Sequence, residues 1–397
     1  MNKFKIIIGV IIFSFVSCYT NLNATNLEYN IPFQLIDDMV VVEVSINGSP
    51  PIHFIFDTGT TTTLIDSVSA NQSGLISDNT QALLLNNDFI EMPITKAKTI
   101  KVGNVVLENR PVIITQTFEN YDRILGIHIH GIIGLDLFGK FTTELNFDNQ
   151  QIFLGNGIDT SGYEPINANI YNELFYINAT IYASDTDSIT NKFLFDSADL
   201  TAASLAQPFW TKFNLLEKSS NHYSGINRNS STIVSPSYFA QFTGLKISKF
   251  YFKGVFLNLT SSKKGFFAND SIAGTIGIDV LKRFNIIINL KAQKIYLKPN
   301  KKCNEPYRIN TTGIRTRLNR ELTQCIIESV MVHSPADSAG LMSGDLLVSI
   351  NEVPANKVNI SRIRQFTRSA SGTELTFTVQ RNNEIKKMTL ICNNLKE

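Results

Sequence analysis

The chain repeats itself. Two apolar runs, Phe54-Ile55-Phe56-Asp57-Thr58-Gly59 and Phe193-Leu194-Phe195-Asp196-Ser197-Ala198, each lead into an acidic, a hydroxyl and a small residue. A carboxylate at the mouth of a buried strand is costly unless it is hydrogen-bonded or used. One such acid per repeat predicts a shared acid/base site on a pseudo-two-fold axis. Downstream of each lies an apolar run containing glycine, Gly131-Ile132-Ile133-Gly134-Leu135-Asp136 and Gly274-Thr275-Ile276-Gly277-Ile278-Asp279. Each is followed by alternating strand, turn, strand. The offset between halves is 139 at the acids and 143 from the second glycine run onward. Three features recurring in one order describe a duplicated domain with a small insertion.

At 397 residues the chain has room for two or three domains. Its net charge is only +2, with Lys and Arg spread out, so no electrostatic footprint for nucleic acid is present. The 27 Phe and 12 Tyr, with Ile, Val and Thr in short alternating runs broken by Asn, Gly and Asp, read as mostly β. The expected architecture is a first lobe over 30–157, a second over 158–299 and a small α+β unit over 307–394, preceded by a polar linker at 19–29. Asn47-Gly48 predicts a tight turn between the strand Met39–Ile46 and the one that delivers Asp57.

Lys3 and Lys5 precede an apolar stretch, 6–16, of about 11 residues, too short for the roughly 20 a membrane span needs, and so a signal h-region. Phe15-Val16-Ser17-Cys18 resembles a loose bacterial lipobox, which would make Cys18 a lipid anchor. The other reading is ordinary cleavage near Cys18 or Ala24, giving a soluble secreted protein. Both place the chain outside the cytoplasm, in a cell envelope or beyond it.

The two lobes resemble the pepsin/retropepsin superfamily of aspartic proteases in a bacterial, two-lobed form, on the Asp57-Thr58-Gly59 and Asp196-Ser197-Ala198 triplets and the Gly134 and Gly277 runs. The resemblance implies that Asp57 and Asp196 share a proton, titrate as a coupled pair and activate a water for peptide hydrolysis, with no metal or cofactor. It implies that Thr58 and Ser197 bond across to the opposite loop, that Gly59 permits close backbone approach, and that strands ending at Gly134 and Gly277 cross behind the loops. It also implies a monomer, since one chain carries both acids, acting on polypeptide. Ala198 departs from the pattern, which has glycine there; an added methyl in a tight loop costs about 1–3 kcal/mol. Unless that methyl points away from Asp196, the chain is a weak or inactive protease. The alternative is then a peptide-gripping or scaffold protein of the envelope.

The run Ser334-Pro335-Ala336-Asp337-Ser338-Ala339-Gly340-Leu341-Met342-Ser343-Gly344-Asp345 resembles a PDZ domain of the bacterial-protease type. Thr312-Gly313-Ile314 resembles the turn with which such domains capture a C-terminal carboxylate, implying a peptide ligand. Ile363 and Phe366 line that groove or belong to the core, and a packing module that binds no free peptide is the other reading.

Asp136 and Asp279 are expected to N-cap short helices. His128-Ile129-His130 would put two rings on one strand face, but no third metal ligand is in evidence, so a solvated or flap-edge role is expected. Flap hairpins are expected over 83–106 and 223–245. A bridge between Cys303 and Cys392 forms if the first and last strands of the C-terminal unit pair, in an oxidising compartment. Cys325 reads as a buried thiol.

Overall fold

A computed structural model describes residues 29–395 except 78, 86–87, 136–138, 140, 229–233 and 308. The expected signal segment, Cys18 and Asp136 therefore lie outside the described residues. The α-helices are α1 (Ser67–Gln72), α2 (Glu119–Leu125), α3 (Gln207–Lys212), α4 (Ile278–Leu281), α5 (Pro335–Ser338) and α6 (Ile360–Phe366), with a short 3-10 turn at Phe266–Ala268; the regular structure of the described residues is otherwise mostly strand.

Each lobe begins as a meander. In the first, Tyr29–Ile36, Met39–Ile46 and Ile52–Phe56 pair antiparallel in succession. Asn47 and Gly48, with φ of 52° and 81°, make the predicted turn. Asp37 and Asp38 form a second one at 50° and 71°. Its counterpart in lobe two is Asn172 and Glu173, at 50° and 63°. Both lobes then repeat one arrangement. The acid-bearing strand pairs parallel with a short strand from the glycine run, Phe54 to Gly131 in lobe one and Phe193 to Gly274 in lobe two. That short strand pairs antiparallel with the strand following the acid loop, Leu64–Asp66 or Ala203–Leu205.

The lobes are joined by continuous hydrogen bonding. Thr142–Asn146 pairs with Phe284–Asn289, Leu145 opposite Ile286. Gln151–Gly155 and Lys294–Pro299 flank this pair, and Tyr29–Ile36 and Glu164–Tyr171 close the two ends. One hydrophobic core runs through both lobes and includes Phe54, Phe56, Phe193 and Phe195. Burying each ring contributes about 2–3 kcal/mol, so the acid-bearing strands are anchored from behind.

The C-terminal unit has its own core. Its sheet runs Ile314–Leu318, Cys325–Val330, Leu346–Ile350, Glu374–Arg381, Glu384–Ile391. The acid of its Gly344-Asp345 turn is 2% exposed. Its carboxylate accepts from Met342 N–H at 2.9 Å and from Arg381 at 2.6 and 2.7 Å. Burial would raise its pKa; the Arg381 and Met342 bonds instead hold it below the ordinary value.

Two expectations are corrected. All three described cysteines are free thiols. Cys303 packs on the two-lobed core while Cys392 is buried in the C-terminal one, and the first and last strands of that unit lie at opposite ends of its sheet. Asp279 does not cap α4; Gly277 holds that position. Asp279 sits in the first turn and pairs with Lys282 at 2.6 Å, and Lys282 reaches Asp38 of lobe one at 2.7 Å.

Candidate active site

The two acid loops meet. Asp57 N–H donates to Ile133 O at 2.9 Å and Asp196 N–H to Ile276 O at 3.0 Å, so each acid is the first residue past its strand, still held by the strand crossing behind. The next residues interlock. Thr58 Oγ1 donates to Phe195 O at 2.9 Å and accepts from Ser197 N–H at 3.0 Å. Ser197 Oγ donates to Phe56 O at 3.0 Å and accepts from Thr58 N–H at 3.0 Å. Both hydroxyl residues are 1% exposed. Four hydrogen bonds away from water fix the register of the loops, because a buried polar group without a partner costs about 1–3 kcal/mol.

The carboxyl groups hydrogen-bond to each other. Asp57 Oδ1 accepts from Gly59 N–H at 2.6 Å; Asp196 Oδ1 accepts from the N–H groups of Ala198 and Asp199 at 2.9 and 3.1 Å. Both residues keep some surface open to solvent although protein surrounds their carboxyls. Burial pushes Asp57 up to about 6, against the pull of the Gly59 and Asp196 hydrogen bonds. Asp196 is raised well above the ordinary value by burial, then by the charges of Asp57 and Asp199. The two carboxyls therefore share one proton and titrate as a pair.

Neither Gly59 nor Ala198 has a positive φ. Glycine is needed at 59 for space, since a methyl there would stand 2.7 Å from Asp196 Cγ. Ala198 packs instead on a small apolar cluster of Met39, Val41, Ile55, Phe118, Leu125 and Ile129. Its methyl therefore has a lining of its own. At Gly277 a side chain would meet Thr201 O at 2.3 Å and Asp199 O at 2.5 Å, so that glycine lets the second acid loop pack down. Gly134 is buried directly after the carbonyl that holds Asp57.

Two residues at the site escape sequence reasoning. Asp199 stands where lobe one has Thr60. Its carboxylate accepts from Thr201 N–H and Oγ1 at 2.9 and 2.8 Å and from the buried hydroxyl of Thr275. Tyr121, on α2, packs on the same cluster as Ala198. Its hydroxyl is raised above its ordinary range by burial, then by the charges of Asp57, Asp196 and Asp199, so it stays a protonated donor beside the pair. The Asp196-Ser197-Ala198-Asp199 spacing was a usable signal for the first; nothing local marks the second.

The expected flap segments form hairpins, Asn79–Leu85 with Asp88–Val102 and Asn221–Arg228 with Val234–Gln241. The turn residues 86–87 and 229–233 lie outside the described residues. His128 and His130 precede the strand Gly131–Ile133 rather than sharing its face; His128 pairs with Asp122 at 3.0 Å, and burial lowers the His130 pKa. Among the described residues no group of three or more His, Cys, Asp and Glu side chains is arranged to hold a metal ion.

In the C-terminal unit, Thr312, Gly313 and Ile314 form a turn whose amides are already engaged. Asn310 Oδ1 accepts from Thr312 and Gly313 N–H, both at 3.0 Å, and Thr312 Oγ1 accepts from Ile314 N–H at 3.3 Å. Ile363 is fully buried in the core, and Phe366 packs against it.

Residues 42–137 match the aspartyl protease family, and residues 326–381 match the PDZ domain family. The chain thus joins an aspartic protease-like domain to a PDZ domain. No curated protein matches it. Among solved structures it is similar to an aspartic proteinase from Irpex lacteus, at 12% identity and a TM-score of 0.44, over 70% of this chain and 99% of that one.

Proposed function

We propose that this protein is an exported aspartic endopeptidase. The carrying observation is the mutual hydrogen bond of Asp57 and Asp196 inside loops locked by Thr58 and Ser197. With the shared proton on Asp196, Asp57 takes a proton from a water as its oxygen attacks the scissile carbonyl carbon. Asp196 donates its proton to the carbonyl oxygen. The resulting gem-diol collapses, the C–N bond breaks, and the leaving nitrogen takes the proton held by Asp57 while the diol returns one to Asp196. No covalent intermediate is needed, and the pair ends in its starting state.

Both acids lie on one chain, which supports a monomer acting on extended polypeptide. Lys3, Lys5 and the apolar stretch after them support export, and Cys18 supports attachment to a lipid surface of the cell envelope. The test is cleavage of a reduced, carboxymethylated polypeptide across acidic to neutral pH. Wild type cuts, and Asp57→Asn and Asp196→Asn do not. Equal binding by all three without cleavage would reduce the protein to a peptide-gripping module. Cys18→Ser should release the protein from membrane fractions; unchanged fractionation removes the anchor.

A further inference from the structure

A PDZ domain takes an extended peptide along the free edge of one strand, opposite a helix, with the terminal carboxylate in a nest of amides. Here the strand is Ile314–Leu318, which pairs on one side with Cys325–Val330, and the facing helix is α6. Both ends of this groove are in use. At the nest, the Asn310 side-chain oxygen takes the Thr312 and Gly313 amides that a carboxylate would take.

At the other end sits α2. Asn319 N–H donates to Gln324 O at 2.8 Å, so its backbone faces the paired strand. Strand alternation then turns the Leu318 carbonyl to the free edge. Arg123 Nε of α2 donates to that carbonyl at 2.8 Å. Gly126, the left-handed cap of α2 at φ 76°, lies between the walls: a methyl there would meet Ile360 Cγ2 at 3.3 Å and Leu318 Cδ1 at 3.4 Å. From α6, Arg364 donates to the Ile124 carbonyl at 2.5 Å, one that the helix end leaves without an internal partner, and pairs with Asp37. Arg320 pairs with Glu119 at 3.0 Å. The same unit reaches lobe two, where Asn221 donates to Leu395 O at 2.6 Å.

We propose that the PDZ domain is an internal clamp whose ligand is α2 and its Gly126 cap, rather than a receptor holding its groove open for a free C-terminus. The face of α2 turned from the clamp carries Tyr121 and Leu125 into the cluster that also holds Ala198. The grip therefore steadies the floor beside the acid pair. That consequence rests on the endopeptidase reading; the clamp itself does not.

The test is hydrogen exchange on the full chain. Removing the grip from the PDZ side with Arg364→Ala and Arg320→Ala should speed exchange of the α2 and Gly126 amides at least about tenfold, with the PDZ strand Glu374–Arg381 unchanged as the folding control. Unchanged α2 exchange overturns the clamp. A fluorescein-labelled pool of random hexapeptides with free C-termini should show no saturable binding to wild type, or binding that speeds α2 exchange by displacing it. Saturable binding with α2 exchange unchanged also overturns the proposal. If the protein proves to cleave nothing, exchange still reports on the clamp. If it cleaves, the double variant should lose kcat about tenfold with KM held, and an unchanged kcat removes the coupling to the acid pair while leaving the clamp to the exchange result.

Discussion

The α-carbon of Gly59 rests against the carboxyl of Asp196, so closely that a methyl group would fall 2.7 Å from Asp196 Cγ and 2.9 Å from Oδ1. The contact is one-sided, because Ala198, at the matching position, has room for its methyl. Gly59→Ala must displace a carboxyl whose placement decides proton transfer. A shift of about 1 Å costs on the order of 100-fold in rate, and kcat for polypeptide cleavage should fall by that much. Ala198→Gly should not raise turnover. It should lower stability by about 1 kcal/mol through lost packing and added backbone freedom, read from the urea midpoint.

Asp199 adds a third carboxyl to a site whose chemistry uses two. Its charge raises Asp196, so removing it lowers Asp196. In Asp199→Asn the alkaline limb of the kcat/KM profile should move towards acid by about one pH unit, with Asp199→Thr, which copies Thr60, moving the same way. An activity loss with an unmoved limb would mean that Asp199 only holds its loop.

The raised acids also make stability depend on pH. A carboxyl whose folded pKa lies above its unfolded value stabilises the fold fully below the unfolded pKa. That contribution is lost as pH rises through the folded value, about 6 for Asp57 and higher for Asp196. Wild-type Tm should therefore fall between mildly acidic and neutral pH from this pair. Asp196→Asn, which cannot ionise, should flatten that fall and be the more stable protein at neutral pH. An equal slope in both proteins would show that the pair is not raised.

What the sequence made legible was whatever repeats or follows strand alternation. The lobes were visible because the acid triplet and glycine run recur in order, and the Asn47-Gly48 turn because only a few residues accept positive φ at both positions. Asp37-Asp38 and Asn172-Glu173 make similar turns with residues less committed to them, and passed unnoticed. Asp199 was hidden because one of its partners, Thr275, is 76 residues away. Tyr121 was hidden because only the packing of α2 brings it to the acids. The cysteine pairing failed for a related reason: strand order in a sheet is not strand order in the chain. Asn310 carries no signal in the sequence, and only the folded turn shows its oxygen among the amides of Thr312 and Gly313.

The interlocked hydroxyls should be less replaceable than their size suggests. Thr58→Val keeps the shape but removes the donor to Phe195 O and the acceptor of Ser197 N–H. Two buried backbone groups then lose their partner, at roughly 1–3 kcal/mol each. The urea midpoint should drop accordingly, and cleavage should fall with it because the loops lose register. Ser197→Thr, which keeps the hydroxyl, should retain most of the stability, and a loss equal to that of Thr58→Val would assign the effect to packing instead.

Lys282 tests how the lobes are held together. Its ammonium lies between Asp38 of lobe one and Asp279 of lobe two, at 2.7 and 2.6 Å, and its side chain is 12% exposed. Burial would lower its pKa, but the two carboxylates raise it, so it stays charged throughout the stable range. Lys282→Met leaves two partly buried carboxylates without their common cation, which costs about 3 kcal/mol in comparable buried pairs. Asp38, held below its ordinary pKa by Lys282 against the opposing effect of burial, should return upward. The variant should therefore lose most stability at neutral pH and recover part of it on acidification, as Asp38 protonates. A uniform loss across pH would mean that the methylene stem, not the charge, is what joins the lobes there.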